Sequence, residues 1–329
     1  MDETIETPTK KDFTRREFFK FGAVLVGGFA LEQIISPVKK TAEFLEYMGI
    51  LQEGNPLQRA GTFQELNRRV LLSPTEENRK LLTSWLKLNI AEMYARKEGW
   101  NLAAVTMQHY LYGGGTPLDI TSHFISSVEE NFQPANPNQG DRDRKLVDFL
   151  TKSISTYESR IITPDQEHIG DIASREKGQV PVHIVTQLIP ITEDIHYSLN
   201  RYSDEINNDA EISIISNPEQ DTYHPQAYKI MFPKSTHNVF DTYHWQAGRS
   251  FNSASVGVGP LLFSLGLSYE KLEKLIGKQR ALELLTKEVI GIGATDGVIL
   301  EKHGFGKSFE ERAQFSINTP ITLVFPKRE

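Results

Sequence analysis

The chain has 329 residues, of which 39% are hydrophobic and 24% charged, a composition typical of a folded globular protein rather than a disordered one. Its formal net charge of −7 makes it a poor candidate for nonspecific nucleic-acid binding, so we expect no nucleic-acid partner. The absence of cysteine excludes disulfides, thiolate nucleophiles and cysteine-ligated metal sites. Any bound metal must therefore use His, Asp or Glu side chains.

The segment near the start of the chain combines a pair of arginines with an uncharged apolar run. Arg15 and Arg16 are followed by Phe18 and Lys20, and then by the apolar run 21–31. This arrangement resembles the twin-arginine signal of exported proteins, commonly written Ser/Thr-Arg-Arg-x-Phe-Leu-Lys. The eleven residues of the run suit the core of a signal peptide, because a membrane span needs about 20.

The resemblance implies that the folded protein is exported by the twin-arginine translocase and resides in the periplasm or outside the cell. We predict that residues 1–36 are the signal peptide. No Ala-x-Ala triplet marks a cleavage site in this segment. Cleavage and membrane tethering through an uncleaved signal therefore both stay open, and a surface-binding or buried N-terminal helix is the alternative interpretation.

The stretch from residue 37 to residue 160 is predicted to form a mostly helical domain. Thr62 and Ser73 each stand three residues before a glutamate, which is the spacing of a helix-capping pair. The apolar residues that follow recur at steps of three and four. Helices are predicted over about 81–94, 100–111 and 142–157.

Residues 161–329 are predicted to form an α+β domain. Runs rich in β-branched or aromatic residues predict strands at Val180–Val185, Glu211–Ile215, Tyr228–Phe232 and Asn238–Tyr243. The last two of these are expected to form a hairpin. A helical insertion is predicted over about 269–289, and 308–325 returns to strand. The fold class is therefore α+β, with a mostly helical N-terminal part followed by an antiparallel-sheet C-terminal part with a helical insertion.

One tetrapeptide, Asp-Thr-Tyr-His, occurs at 221–224 and again at 241–244, on either side of the predicted hairpin. The hairpin would place His224 roughly opposite His244 or Trp245, and Arg249 follows five residues after His244. Two imidazoles and two carboxylates at one end of a sheet could bind a divalent metal such as Mg²⁺, or act as base and orienting acid. The structural alternative is that Thr and Tyr favour strands, and that Asp and His often occupy strand ends.

The second copy of the tetrapeptide resembles a motif of colicin M-like toxins, which hydrolyse the lipid-linked peptidoglycan precursor outside the inner membrane. These toxins carry Asp-x-Tyr-Asp-Phe on a strand, a His-Arg pair, a glycine-rich turn and a final strand. Asp241 and Tyr243 are similar to the first element, Arg249 to the arginine and Gly304–Phe309 to the turn. His244 replaces the second aspartate, and no histidine precedes the arginine. The resemblance implies that the aspartate and the tyrosine are catalytic.

Two classes of function stay open. The first is an exported protein of the cell envelope or the medium whose biochemical activity is unknown. Such a protein could be a module that binds an envelope ligand. The second is a colicin M-like phosphoester hydrolase that acts on a lipid-linked peptidoglycan precursor. The candidate catalytic residues are Asp241, Tyr243, His244, His224 and Arg249.

Overall fold

The structure is a computed structural model that describes residues 46, 51, 54–133, 142–162, 178–199, 202–217, 226–245, 254–257, 269–279, 281–282 and 289–327. The predicted signal motif, with Arg15, Arg16, Phe18 and Lys20, lies outside these residues. Within the described part of the chain, no helix has the length and apolar character needed to cross a membrane.

The described residues include eight helices and ten strands. The helices are α1 (Pro56–Leu72), α2 (Glu76–Lys97), α3 (Asn101–Tyr112), α4 (Thr121–Asn131), α5 (Arg142–Ser153), α6 (Glu193–Ser198), α7 (Tyr269–Ile276) and α8 (Ala294–Lys302). The strands are β1 (Leu118–Asp119), β2 (Ile154–Ile162), β3 (Gln179–Leu188), β4 (Tyr202–Ser216), β5 (Gln226–Phe232), β6 (Ser235–Tyr243), β7 (Ala254–Gly257), β8 (Val289–Ile292), β9 (Phe309–Ile317) and β10 (Ile321–Pro326). Helices precede most of the strands, and the predicted α+β fold class is confirmed.

The chain divides into two compact units. The first contains the described residues up to 94 and those from 254 to 303; the second contains the described residues from 95 to 245 and from 304 to 327. The predicted helical and α+β domains each contribute residues to both units. Their boundary at residue 160 stays a prediction.

In the first unit, α1 and α2 share a buried polar contact. Arg59 forms an ion pair with Glu92 and donates a hydrogen bond to Asn89, and all three side chains are buried. The capping prediction for this region was wrong at both positions. Thr62 lies inside α1, because Asn55 supplies the N-cap about two turns earlier by accepting from the Gln58 amide.

At the start of α2, the capping hydroxyl belongs to Thr75 rather than to Ser73. The Thr75 hydroxyl accepts from the Asn78 amide, which satisfies a donor of the first turn. Ser73 instead follows the end of α1, where its amide donates to the Arg69 carbonyl. The predicted motif was therefore correct in kind but displaced by two residues.

The second unit is built on an eight-stranded sheet. Its long strands pair antiparallel in the order β2, β3, β4, β6 and β9, and β5 pairs with both β4 and β10. The two-residue strand β1 is the parallel member and lies beside β9. The predicted antiparallel character of the sheet thus holds for all but one short edge pair.

The predicted hairpin between the third and fourth strand runs was wrong. Both β5 and β6 run antiparallel to β4, with Met231 opposite Glu211 and His237 opposite Ile206. β6 therefore continues in the direction of β5 instead of folding back on it. Pro233 has no amide hydrogen to give to a neighbouring strand, so the strand is interrupted there without reversing.

The core of the second unit lies between the sheet and helices α4 and α5. Phe124 of α4 stacks on Phe315 of β9, with ring centroids 5.7 Å apart, and packs edge-on against Phe149 of α5. The helix predicted over about 142–157 ends at Ser153, and β2 begins at the next residue. The change follows the sequence, because apolar residues at helical spacing give way to Ile154 and the β-favouring residues after it.

Helix α6 connects β3 to β4 and places one buried carboxylate at the start of α3. Asp194 accepts hydrogen bonds from the amides of Leu102 and Ala103, which have no partner within the helix itself. Burial raises the pKa of Asp194, while these bonds favour its charged form. Asp194 thus fixes the N-terminal end of α3, and Tyr110 lies near the opposite end of the same helix.

Candidate functional site

Two of the predicted site residues lie on the inner face of the sheet, where β6 pairs with β9. Asp241 is directly opposite Glu311, and Tyr243 is opposite Phe309. Directly opposed residues of an antiparallel pair point to the same face, with Cβ atoms about 5 Å apart. The structure therefore brings the predicted Asp241 next to a second carboxylate that was not predicted.

Glu311 is the most unusual polar group of this region. Its side chain is 0% exposed, and within the described part of the chain neither carboxylate oxygen has a hydrogen-bond partner. Burial raises its pKa well above the ordinary value, and the negative charge of Asp241 raises it further. Asp241 itself is only half-buried. The pair thus combines a carboxyl group that favours the protonated form with a carboxylate that reaches the surface.

Aromatic rings adjoin the two carboxyl groups. The ring of Tyr110, from α3, lies 5.6 Å from that of Tyr243 and 6.1 Å from that of Trp245, and the last two are 6.2 Å apart. Trp245 is half-buried, whereas the other two rings are buried. We call Tyr110, Asp241, Tyr243, Trp245 and Glu311 the acid–aromatic cluster.

The Tyr243 hydroxyl belongs to the polar part of this cluster. Burial raises its pKa, and the charges of Glu311 and Tyr110 raise it further. Tyr243 therefore keeps its proton at neutral pH. Its ring stacks on Phe309 with centroids 5.3 Å apart, which holds the hydroxyl in place.

The glycine-rich turn before β9 contacts the same cluster. A Cβ atom on Gly306 would lie 2.4 Å from Cε1 of Tyr110, so a side chain there would displace the tyrosine ring. The neighbouring Lys307 amide donates to the Tyr110 carbonyl over 3.0 Å. The turn at Gly304–Phe309 and the strand carrying Asp241, the two described parts of the colicin M-like pattern, thus meet at one place.

The other predicted site residues do not extend the cluster. The His244 ring lies 2.8 Å, through Nδ1, from the Thr242 carbonyl oxygen. His224 and Arg249 lie outside the described residues. The described residues contain no group of three or more His, Asp or Glu side chains that could hold a metal ion.

A second polar chain crosses the inner face of β4 and β6. Nδ1 of His237 lies 2.7 Å from a carboxylate oxygen of Asp204, and its Nε2 lies 2.8 Å from the Ser235 hydroxyl. This is the bonding order of a Ser-His-Asp triad. However, none of the three residues is more than 2% exposed, and the imidazole stacks on Phe315. A substrate cannot reach the Ser235 hydroxyl, so these three side chains form a hydrogen-bond network of the core.

Glu311 carried a signal in the sequence that the motif search missed. The inward positions of β9 are Phe309, Glu311, Ala313, Phe315 and Ile317, and every outward position is polar. A glutamate in the apolar row of an alternating strand conflicts with the pattern that defines the core. Such local conflicts are most often found at functional sites. By contrast, no local pattern links Asp204 to His237, which are separated by 33 residues.

Comparison with known proteins gives no relative for this chain: no family model, curated protein or solved structure matches it.

Proposed function

We propose that the protein is exported through the twin-arginine pathway and binds a cell-envelope ligand at the acid–aromatic cluster of its second unit. The motif around Arg15 and Arg16 supports the export step, which makes the twin-arginine translocase a transient partner and the periplasm or the medium the destination. The envelope is then the surface that the folded protein meets first. Membrane contact is limited to the signal segment, if that segment is retained.

The observation that carries the binding step is the buried carboxyl group of Glu311. A polar group removed from water without a hydrogen bond destabilises a protein by about 1–3 kcal/mol. Strongly perturbed carboxyl groups beside a specific charged neighbour are concentrated at functional sites. Asp241 and Trp245 are both half-buried, so a ligand can contact the cluster at these two residues while Glu311 stays in the interior.

Co-sedimentation of the full chain with isolated envelopes of the source organism tests this function. The wild-type protein is expected to sediment with the envelopes, and Asp241→Asn to remain largely in the supernatant, because the amide removes the charge at the accessible edge. Asp209→Asn is the matched control, since Asp209 lies on the same sheet and is exposed. Equal sedimentation of wild type and Asp241→Asn would overturn the proposal, as would failure of the wild type to sediment.

One observation favours the second candidate function, a phosphoester hydrolase. Asp241 is the half-buried member of the carboxyl pair, so it is the one that would act as base or nucleophile. Glu311 is buried behind it and favours its protonated form, so it would act through Asp241 and not on the substrate. A catalytic role is what the colicin M-like resemblance implies for Asp241.

The hydrolase is tested with a lipid-linked pyrophosphate as substrate, in the presence and absence of Mg²⁺. Asp241→Asn should lower the rate by about a hundredfold or more, because an amide cannot accept the proton or attack phosphorus. It should also still sediment with envelopes, since loss of turnover leaves substrate binding in place. A wild-type protein without hydrolytic activity under either condition removes this candidate.

A further inference from the structure

We infer that the second unit carries a further binding site, an open groove along α4 that takes a neutral saccharide. The groove encloses about 650 Å³, which is within the range of about 300 to 1,000 Å³ usual for small-molecule sites. Its lining residues include Asp119, Ser122, Ile125, Ser126, Glu129 and Arg142. We call these residues the α4 groove. None of them belongs to the acid–aromatic cluster, so the inference goes beyond the proposed function.

The lining follows one face of α4. Residues 122, 125, 126 and 129 include pairs that are three and four positions apart, and such residues are neighbours on the surface of a helix. The opposite face of the same helix carries Phe124 and Val128, which are both buried in the core. The apolar face thus fixes the position of α4, and the polar face is left to line the groove. Arg142, the first residue of α5, adds a positive charge to it.

A short chain of hydrogen bonds fixes the end of the groove where α4 begins. The amide of Thr121 donates to the carboxylate of Asp119 over 2.9 Å, and the Thr121 hydroxyl accepts from the Gln314 amide of β9 over 3.0 Å. Hydrogen bonds from the Thr121 hydroxyl and from its amide lower the pKa of Asp119, so this exposed carboxylate is charged at neutral pH. This end of the groove is therefore held in place before a ligand arrives.

Four of the lining side chains keep their polar groups available. Within the part of the chain that the structure describes, the side chains of Ser122, Ser126, Glu129 and Arg142 make no hydrogen bond or ion pair. Ser122 and Arg142 are exposed, and Ser126 and Glu129 are half-buried, so a ligand can reach all four. The groove thus offers two hydroxyls, a carboxylate and a guanidinium whose hydrogen-bonding capacity a bound molecule can use.

The charges of the α4 groove favour a ligand without a net charge. The carboxylates of Asp119 and Glu129 repel an anion, and the guanidinium of Arg142 repels a cation. Carboxylates only accept hydrogen bonds, a guanidinium only donates them, and serine hydroxyls do both. The hydroxyl groups of a saccharide also do both, so one such molecule can bond to every polar group of the groove without bringing a charge.

Ile125 supplies the apolar contact that a sugar ring also needs. It is half-buried and lies between Ser122 and Glu129 along the helix, so the C–H groups of a ring can pack on it while the hydroxyls reach the polar groups around it. A divalent metal ion suits the groove less well, because the described residues hold no group of three His, Asp or Glu side chains that could bind one.

The test titrates the full chain with maltotriose, cellotriose and N,N′-diacetylchitobiose, and follows binding by nuclear magnetic resonance. Oligosaccharides are used because residues 121 and 129 are about 12 Å apart along the helix axis. Wild type is expected to bind at least one of them saturably, with a Kd on the order of millimolar. Glycylglycine is the zwitterionic comparison and should not bind saturably. Binding of glycylglycine alone, or of none of these probes, would overturn the inference.

Two substitutions place the binding in the groove. Arg142→Ala should weaken it by about tenfold or more, because a charged hydrogen-bond donor is lost, and Ser122→Trp should abolish it by filling the groove. Arg144→Ala is the matched control: Arg144 is exposed on the same helix but does not line the groove. Arg142 is itself exposed, so its truncation leaves the core intact, and thermal unfolding verifies that each variant is folded. Equal binding by wild type and folded Arg142→Ala would contradict the site.

The Asp241→Asn variant separates this site from the acid–aromatic cluster. It should bind the oligosaccharide as wild type does, because Asp241 does not line the α4 groove. If the protein binds the oligosaccharide but does not sediment with envelopes, only the proposed function fails. If it sediments in an Asp241-dependent way and binds none of the oligosaccharides, only the saccharide inference fails.

Discussion

Replacing Arg15 and Arg16 together by lysine is expected to abolish export of a reporter protein fused to residues 1–45. The reason is chemical rather than a matter of net charge, because both lysines keep their positive charge. Arginine presents a planar fork of N–H donors, and lysine presents a compact ammonium with different geometry. A receptor that reads the guanidinium pair therefore loses its recognition element. The measurement is the fraction of reporter found outside the cytoplasmic membrane.

The matched control for this experiment changes lysine to arginine, the reverse of the test substitution, at positions outside the motif. Lys10 and Lys11 lie in the same polar segment but outside the motif, so changing both to arginine should leave export at the wild-type level. If the doubly substituted Arg15 and Arg16 variant were exported as well as wild type, the proposed destination of the protein would lose its basis. The envelope ligand would then have no place in the function.

The parts of the fold that local patterns determine were predictable from the sequence. In β9, apolar and polar residues alternate without exception apart from Glu311, and the predicted strand region 308–325 contains both β9 and β10. The end of α3 at Tyr112 was predictable in the same way, because a glycine run follows it. Hydrophobic periodicity and the residues that end helices and strands depend on only a few neighbouring positions. Both signals can therefore be recognised without knowing the rest of the chain.

The strand order was not predictable, because it depends on which distant segments pair. Pro233 correctly marked an interruption between two strands. The sequence was compatible with two outcomes, in which the second strand either folds back on the first as a hairpin or continues along the same partner strand. β4 decided between them: it is 15 residues long and can pair with β5 at one end and β6 at the other. The length of β4 was underestimated, since only its second half, Glu211–Ile215, carries an apolar run.

The candidate site was predictable in part for the same reason. Asp241 and Tyr243 were identified from a short motif, whereas Glu311 is 70 residues away and meets Asp241 only through the pairing of β6 with β9. Tyr110 comes from a helix whose sequence carries no sign of a site. A single sequence shows which side chains can do chemistry, but the sheet register determines which of them meet.

Glu311→Met is expected to stabilise the protein, which is unusual for a substitution at a fully buried position. Methionine has nearly the length and volume of glutamate and needs no hydrogen bond, so it fills the same space without leaving a polar group unsatisfied. Removing the unsatisfied buried carboxyl group should raise the free energy of unfolding by about 2 kcal/mol. For a protein of this size the thermal midpoint then rises by roughly 3 °C. Glu310→Met, one position away on the exposed face, is the control and should change stability by less than about 0.5 kcal/mol.

The gain from Glu311→Met should also grow with pH. The pKa of Glu311 in the folded protein is raised above the ordinary value of 4.5 that the unfolded chain shows. As pH rises above 4.5, the unfolded chain releases the proton that the folded protein still holds, so wild-type stability falls through the interval up to the folded pKa. Below that interval both states are protonated, and only the cost of the unsatisfied polar group separates wild type from the variant. Thermal unfolding of both proteins, with Glu310→Met alongside, should therefore show the smallest difference below pH 4.5 and a larger one at neutral pH. A Glu311→Met protein that is less stable than wild type, by an amount independent of pH, would mean that Glu311 holds the sheet together. The carboxyl group would then have a structural role, and the ligand-binding role would lose the observation on which it rests.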